Sequence, residues 1–158
     1  MRVYADTSFL VKLLTQEPGT TAAVADYRRL GRPPIFFLPL HGLEVANAIR
    51  RRAFHQRHTT SSSERLSIKR ERVTSLTLLN KYISRGAFVE ITQNMDAAIE
   101  RARRLSDKHT ERLGCRGFDL LHVALALELE CKAFLTADRI QRALARAEGL
   151  DVTVSAES

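Results

Sequence analysis

The chain has 158 residues, 44% of them hydrophobic and 27% charged, and its 25 Lys and Arg against 18 Asp and Glu give a formal net charge of +7. This composition is ordinary for a globular protein, and the length suits a single domain, residues 1–158, that buries roughly 70% of its unfolded surface.

No window approaches the roughly 20 apolar residues that span a bilayer, and no signal-peptide pattern is seen, so we expect a cytoplasmic protein. Cys115 and Cys131 are expected to be unpaired thiols. The excess of Lys and Arg over Asp and Glu favours a polyanionic binding partner.

Short apolar runs alternate along the chain with longer segments of helical periodicity. Strands are predicted for residues 2–5, 35–38, 88–91, 132–135 and 151–154. Helices are predicted for residues 9–14, 20–30, 41–57, 64–85, 94–112, 120–130 and 138–147, with loops at 31–34, 59–63 and 114–117. This alternation predicts an α/β fold with a mainly parallel sheet of about five strands and helices on both faces.

Four acidic residues stand where these elements begin or end. Asp6 directly follows the first strand and Asp138 follows the strand at 132–135. Glu44 and Asp119 lie near the starts of apolar helices. In open α/β sheets ligands bind beyond the carboxyl ends of the strands, so the four positions can converge on one edge. Carboxylate oxygens suit Mg²⁺ and Mn²⁺, so the pattern predicts a divalent metal site.

Each acid also has a plain structural explanation. Asp6 and Asp138 are placed to cap helix N-termini, and Gln141 lies three residues after Asp138, at the spacing of a capping box. Glu44 would be favoured by the helix dipole in a first turn. Asp119 opens a nearly all-apolar helix, so its carboxylate needs a metal, backbone N–H groups or cations as partners.

Polar neighbours accompany two of the acids. Thr7 and Ser8 place hydroxyl groups directly after Asp6. His122 lies three residues after Asp119 and therefore on the same helix face. This histidine is either a core residue that is hydrogen-bonded to its neighbours or a direct metal ligand, and the sequence leaves both readings open.

Taken together, these segments resemble a PIN domain. The likeness covers essentially the whole chain and is carried by Asp6-Thr7-Ser8, by Glu44 in Leu-Glu-Val-Ala-Asn-Ala, by Asp119 in Phe-Asp-Leu-Leu-His-Val-Ala-Leu-Ala, and by Thr136-Ala-Asp138-Arg. The chain is similar in particular to the VapC ribonuclease toxins of prokaryotic toxin–antitoxin pairs. The resemblance implies a three-layer α/β/α fold, endoribonuclease activity that depends on Mg²⁺ or Mn²⁺, a homodimer, and inhibition by a cognate VapB-like antitoxin.

The resemblance also implies roles for individual residues. Four acids would bind the metal and catalyse hydrolysis: Asp6, Glu44 and Asp119 as core ligands, and Asp138 directly or through water. Three hydroxyl groups would orient these carboxylates and their waters: Thr7, Ser8 and Thr136. Metal-activated water would attack the phosphodiester and leave products with a 5′-phosphate and a 3′-hydroxyl.

Basic side chains near these acids are candidates for contacts with RNA. Lys12 lies four residues after Ser8, and Arg50 and Arg51 extend the helix that begins near Glu44. The same residues would equally suit solvated helix faces. Aromatic residues make up only 6% of the chain and tryptophan is absent, so no extended base-stacking platform is expected.

Other functions are open to a chain with these features. A phosphatase that forms an aspartyl-phosphate on Asp6 would need a second acid two residues later, where Ser8 stands. A structure-specific DNA nuclease would use related chemistry. A PIN-like module that binds nucleic acid or a partner without catalysis belongs to a different class, and the presence of all four acids argues against it. No Ser/His/Asp arrangement or activated cysteine indicates covalent catalysis.

Overall fold

A parallel sheet lies at the centre of this computed structural model, which describes residues 1–57 and 61–152. Across these residues the sheet has four strands in the order β3-β2-β1-β4. The strands are β1 (Val3–Ala5), β2 (Ile35–Phe37), β3 (Phe88–Glu90) and β4 (Ala133–Leu135). Every pairing is parallel, so the carboxyl ends of all the strands lie along one edge.

Helices cover both faces of the sheet. The described residues form α1 (Thr7–Leu14), α2 (Thr20–Arg29), α3 (Pro39–Arg57), α4 (Ser62–Ser84), α5 (Met95–Leu113), α6 (Gly117–Glu128) and α7 (Arg139–Ala147). Val3 and Ala5 of β1 are buried with residues of α1 to α4, whereas Tyr4 between them is buried with residues of α5 to α7. This alternation gives three layers and confirms the predicted α/β/α class with a parallel sheet.

Side-chain caps explain where several helices begin and end. Asn94 accepts hydrogen bonds from the first backbone N–H groups of α5, and Gly114 ends that helix in the left-handed conformation at φ 68°. Glu64 accepts a hydrogen bond from the Ser61 backbone N–H at 2.7 Å, which completes the N-terminus of α4. These local signals are readable in the sequence, so the helices were predicted close to their observed bounds.

The predicted fifth strand is shorter than expected. Only Asp151 takes part in the sheet, through an isolated parallel bridge to Ala133, so the described residues form four strands rather than about five. Thr153 and Val154 of the predicted strand lie outside the described residues. Positions 58–60, which contain the start of the predicted Thr/Ser loop, lie outside them as well.

Four helices, α1, α3, α4 and α6, begin two or three residues earlier than the sequence predicts, and the shifts of α3 and α6 concern the candidate site. α3 begins at Pro39 rather than His41, because proline needs no N–H partner in a first turn. α6 begins at Gly117 rather than Leu120, with Arg116 as its extended N-cap residue. Both shifts change the helical turn in which an acidic residue of the site lies.

The described helices and the two cysteines can be compared with the sequence-based expectations. In residues 1–57 and 61–152 no helix combines the length and the apolar character needed to cross a membrane. Cys115 and Cys131 are both buried free thiols, as the sequence predicts.

Candidate active site

Asp6 lies at the carboxyl end of β1, directly beside the end of β4. The strand register pairs Ala5 with Leu135, and the Asp6 N–H donates to the Leu135 carbonyl at 3.0 Å. One residue further along, the Thr136 hydroxyl donates to Oδ2 of Asp6 at 2.9 Å. The Ser8 hydroxyl lies 2.8 Å from both carboxylate oxygens. The two hydroxyl groups therefore fix the orientation of this carboxylate.

Burial also disfavours the negative charge of the Asp6 carboxylate. Its side chain caps α1 by accepting a hydrogen bond from the Phe9 N–H at 3.0 Å, and the residue is only 1% exposed. Burial raises the pKa of Asp6, and the opposing influence of His122, of the Phe9 N–H and of the two hydroxyl groups does not cancel it. A nearby cation would compensate this buried charge.

Glu44 lies in the second turn of α3 rather than the first, because the helix begins at Pro39. Its Oε2 accepts hydrogen bonds from the Thr7 hydroxyl and from Nε2 of His122, each at 2.8 Å. Burial raises the pKa of Glu44, but the hydrogen bonds from His122 and Thr7 outweigh burial and leave the pKa below its ordinary value. Glu44 is thus an ionised carboxylate tied to the residue that follows Asp6.

His122 connects Glu44 to the sheet. Its ring is only 2% exposed, and its Nδ1 lies 2.8 Å from the hydroxyl of Tyr4. Burial raises the pKa of Tyr4 well above its ordinary value, with Asp6 and Glu44 adding to the shift, so this hydroxyl is protonated. We assign it as the hydrogen-bond donor to Nδ1. Nε2 of His122 then carries the hydrogen donated to Glu44. Both ring nitrogens are engaged, so of the two readings of His122 the structure supports the hydrogen-bonded core histidine.

Asp119 lies in the first turn of α6 and is 8% exposed. Its Oδ2 accepts a hydrogen bond from the backbone N–H of Arg116 at 2.8 Å. Its Oδ1 accepts a second bond from Nε2 of Gln141 at 3.2 Å. The carboxylate therefore has the backbone partner that its position at the head of an apolar helix requires.

Asp138 caps α7 as the sequence predicts. Its Oδ1 accepts hydrogen bonds from the backbone N–H groups of Ile140 and Gln141, at 2.8 and 2.9 Å. The side chain of Gln141 does not return to complete a capping box but binds Asp119 instead. The Asp138 N–H donates to the Thr136 hydroxyl at 2.9 Å, so Thr136 touches both Asp138 and Asp6.

A chain of hydrogen bonds therefore links three of the predicted acids at the carboxyl edge of the sheet, and the fourth, Glu44, is hydrogen-bonded to the residue that follows Asp6. Thr136 links Asp6 to Asp138, and Gln141 links Asp138 to Asp119. The Thr7 hydroxyl, on the residue next to Asp6 in the chain, donates to Glu44. The acids are joined through these groups rather than packed against each other. Within residues 1–57 and 61–152, no three His, Cys, Asp or Glu side chains form a group that could hold a metal ion by themselves.

Comparison with known proteins shows which family has this arrangement. The family model of the PIN domain matches residues 3–147. The chain belongs to the PIN domain family. PIN domains are typically metal-dependent nucleases, so the protein belongs to a family of nucleic-acid hydrolases that use divalent metals, usually Mg²⁺.

A solved structure agrees with this PIN fold. The crystal structure of PAE2754 from Pyrobaculum aerophilum is similar with a TM-score of 0.55 and 16% sequence identity, over 96% of this chain and 89% of that chain. At this identity the likeness shows the fold alone. No curated protein matches the chain.

The donor atoms at this edge of the PIN domain suit a hydrated divalent cation. Mg²⁺ keeps several waters and is usually bound by one or two carboxylates, so it does not need a tight cage of protein ligands. Asp6 supplies a buried carboxylate whose charge is incompletely compensated. Oε1 of Gln141 is a buried oxygen without a hydrogen-bond partner in the described part of the chain. Oxygen donors of this kind favour Mg²⁺ or Mn²⁺ over softer metals.

The predicted RNA contacts have different surroundings. The Lys12 ammonium lies 2.6 Å from the Pro18 carbonyl oxygen and 3.4 Å from Glu17, both in the loop that follows its helix. Its contact with RNA stays a prediction. Arg50 and Arg51 are exposed on α3. Arg51 lies two helical turns beyond Glu44 and therefore on the same face of α3.

Two residues of this PIN domain that contact the acids or their hydrogen-bond partners are not among the predicted site residues. Tyr4 was predicted only as part of the first strand, and nothing local distinguishes a tyrosine that meets a histidine 118 positions away. For Gln141 the spacing after Asp138 predicts only a role in capping the helix. A signal was present, because Gln141, Leu144 and Ala145 share the buried face of α7. A polar residue on such a face is a departure from apolar patterning that indicates a specific contact.

Proposed function

We propose that this PIN domain is an endoribonuclease, dependent on Mg²⁺ or Mn²⁺, that acts as the toxin of a VapBC-type toxin–antitoxin pair. The observation that carries the proposal is the position of the four acids: hydrogen bonds link Asp6 to Asp138 and Asp138 to Asp119, and Glu44 is hydrogen-bonded to the hydroxyl of the residue that follows Asp6. These acids lie at the carboxyl edge of a parallel sheet, the usual position of ligand sites in α/β folds.

Each group in the site has a distinct proposed task. A bound divalent cation would lower the pKa of a water and stabilise charge on the phosphodiester oxygens. Asp6, Glu44 and Asp119 would hold the cation together with its waters. Asp138 would be the fourth acid, directly or through water. Ser8 and Thr136 hold both oxygens of Asp6, so this carboxylate keeps its orientation. His122 orients Glu44 by a hydrogen bond to its Oε2 alone. We expect products with a 5′-phosphate and a 3′-hydroxyl.

The charge of the chain supports RNA as the substrate. The formal net charge is +7, although the site itself is acidic. A groove of about 420 Å³ between α3 and α4 is lined by four cations, Arg50, Arg65, Lys69 and Arg72. Together with the exposed Arg51, these side chains are proposed to bind RNA phosphates, which position a strand without reading its sequence.

The toxin assignment adds protein partners to the proposal. By resemblance to the VapC toxins we expect a homodimer in the cytoplasm that is inhibited by a VapB-like antitoxin. Large apolar side chains are exposed directly before two of the acids: Leu43 beside Glu44 is 70% exposed and Phe118 beside Asp119 is 58% exposed. Exposed apolar groups of this size favour contact with a partner or with RNA bases at the mouth of the site.

Cleavage of total RNA by the purified protein, free of antitoxin, tests the proposal. The assay uses Mg²⁺ or Mn²⁺, a chelator, and Asp6→Asn as the matched control, with single- and double-stranded DNA in parallel. We expect discrete RNA fragments that require metal and are absent with Asp6→Asn. Cleavage of DNA alone would favour a structure-specific DNA nuclease. Intact RNA and DNA from folded protein that binds no metal would favour a non-catalytic PIN-like module.

A further inference from the structure

Gln141 occupies an unusual position between two of the acids. Its backbone N–H donates to Oδ1 of Asp138 at 2.9 Å, and its side-chain Nε2 donates to Oδ1 of Asp119 at 3.2 Å. The residue is only 7% exposed. It therefore contacts both carboxylates from the buried side of α7.

The position would suit an apolar residue better if packing were its only role. Gln141 shares the buried face of α7 with Leu144 and Ala145, at the i, i+3 and i+4 spacing of a helix that packs on a core. Its Oε1 is buried without a hydrogen-bond partner among residues 1–57 and 61–152. A buried amide oxygen without a donor lowers stability, so leucine here would be the more stable choice.

The contact with Asp119 determines how the side-chain amide of Gln141 is oriented. Exchanging the oxygen and nitrogen of Gln141 would bring two acceptors, Oε1 and the Asp119 carboxylate, to the same short separation. Nε2 therefore faces Asp119. The partnerless oxygen belongs to the same amide group, so a donor bound close to Asp119 lies within its reach.

We propose that Gln141 is a further residue of the divalent cation site, with Oε1 accepting a hydrogen bond from a water of the bound cation while Nε2 holds Asp119. This inference rests on the proposed metal site and deepens it. Gln141 is a positioning residue: it fixes one carboxylate and one water, and it satisfies its own oxygen only when the cation is present. Mutation of residues that hydrogen-bond to the ligands of a metal typically lowers metal affinity by about 10–100-fold.

Two substitutions separate this role from packing. Gln141→Met keeps the length of the side chain but removes both polar atoms. Gln141→Glu keeps the oxygen, removes the donor to Asp119, and adds a negative charge that a cation would neutralise. Gln16→Glu, at an exposed position on the α1–α2 loop, is the control for an added charge alone.

The experiment measures Mn²⁺ binding to the RNA-free protein by electron paramagnetic resonance of free Mn²⁺, together with Tm with and without Mn²⁺. We expect Gln141→Met to weaken Mn²⁺ binding by about 10–100-fold. Gln141→Glu should lower the Tm of the metal-free protein yet gain more Tm from Mn²⁺ than the wild type does. Gln16→Glu should bind Mn²⁺ like the wild type.

The outcomes distinguish this inference from the proposed function on which it rests. If the wild type binds Mn²⁺ and Asp6→Asn does not, but Gln141→Met binds like the wild type, the metal site stands and the role of Gln141 is overturned. If Gln141→Glu loses the same Tm with and without Mn²⁺, its role is packing alone and the inference is again overturned. If the wild type itself binds no Mn²⁺, the proposed function fails as well.

Discussion

Replacing Tyr4 with phenylalanine should lower the free energy of unfolding by about 1–3 kcal/mol, because it leaves a buried acceptor without a donor. The Tyr4 hydroxyl lies 2.8 Å from Nδ1 of His122, and the two residues are 0% and 2% exposed. The phenylalanine ring would keep the stack on Phe134, whose centroid lies 5.6 Å away at 9°, so packing changes little. In a domain of this length the loss corresponds to a fall in Tm of about 2–12 °C.

Urea denaturation of the metal-free protein measures this loss. Tyr82→Phe is the matched control, because that ring also stacks on a buried phenylalanine, at 4.9 Å, but is only half-buried. We expect the control to change stability by less than about 0.5 kcal/mol. In a His122→Leu background the cost of Tyr4→Phe should disappear, since the acceptor is gone. An equal cost in both backgrounds would refute the hydrogen-bond reasoning.

Three further predictions concern charge. Burial raises the pKa of Glu148, but hydrogen bonds from Lys108 and His109 outweigh it and leave the pKa below its ordinary value. Glu148→Gln should therefore lower stability above the ordinary glutamate pKa, and the loss should vanish as the pH falls through the lowered pKa, as pH-dependent urea midpoints would show. Arg65→Gln with Lys69→Gln should weaken RNA binding in a catalytically inactive background and reduce the salt slope in fluorescence anisotropy by about 1.4. Mn²⁺ at about 100 times its Kd should stabilise the wild type by about 2.7 kcal/mol, a rise in Tm of about 5–11 °C.

Each of these predictions has a contrary result. A stability loss for Glu148→Gln that is the same at every pH would contradict the ion-pair explanation. The matched control for the α3–α4 groove is Arg28→Gln with Arg85→Gln in a second basic groove, which has a volume of about 410 Å³. An equal loss of RNA affinity there would mean that net charge, and not the groove, binds RNA. A Tm that does not change when Mn²⁺ is added would contradict the proposed metal site.

The sequence predicts the sheet edge of the site better than its helical side. Asp6 and Asp138 each follow an apolar strand, and strands of one parallel sheet must end at the same edge, so their proximity follows from local patterns. The register then brings Thr136 within 2.9 Å of Asp6. A single sequence predicts that two strands pair but does not determine the register between them.

Contacts across layers could not be predicted in the same way. Glu44 lies one turn later in α3 than expected, and the start of that helix involves the side chain of His41, whose Nδ1 accepts the Leu38 N–H at 3.0 Å. Gln141 meets Asp119 because α6 packs on α7, which joins residues 22 positions apart. Such contacts depend on how whole helices pack, and local propensity and spacing carry no information about that packing.

The carboxyl edge of the sheet is proposed to bind a divalent cation. A manganese anomalous difference map, from crystals of the wild type grown with Mn²⁺, tests this central claim most directly. We expect a peak beside Asp6 at about 2.1 Å from a carboxylate oxygen. Glu44 and Asp119 should line the same site, and the peak should be absent with Asp6→Asn. A map without a peak at this edge, from protein saturated with Mn²⁺, would contradict the proposed metal-dependent nuclease.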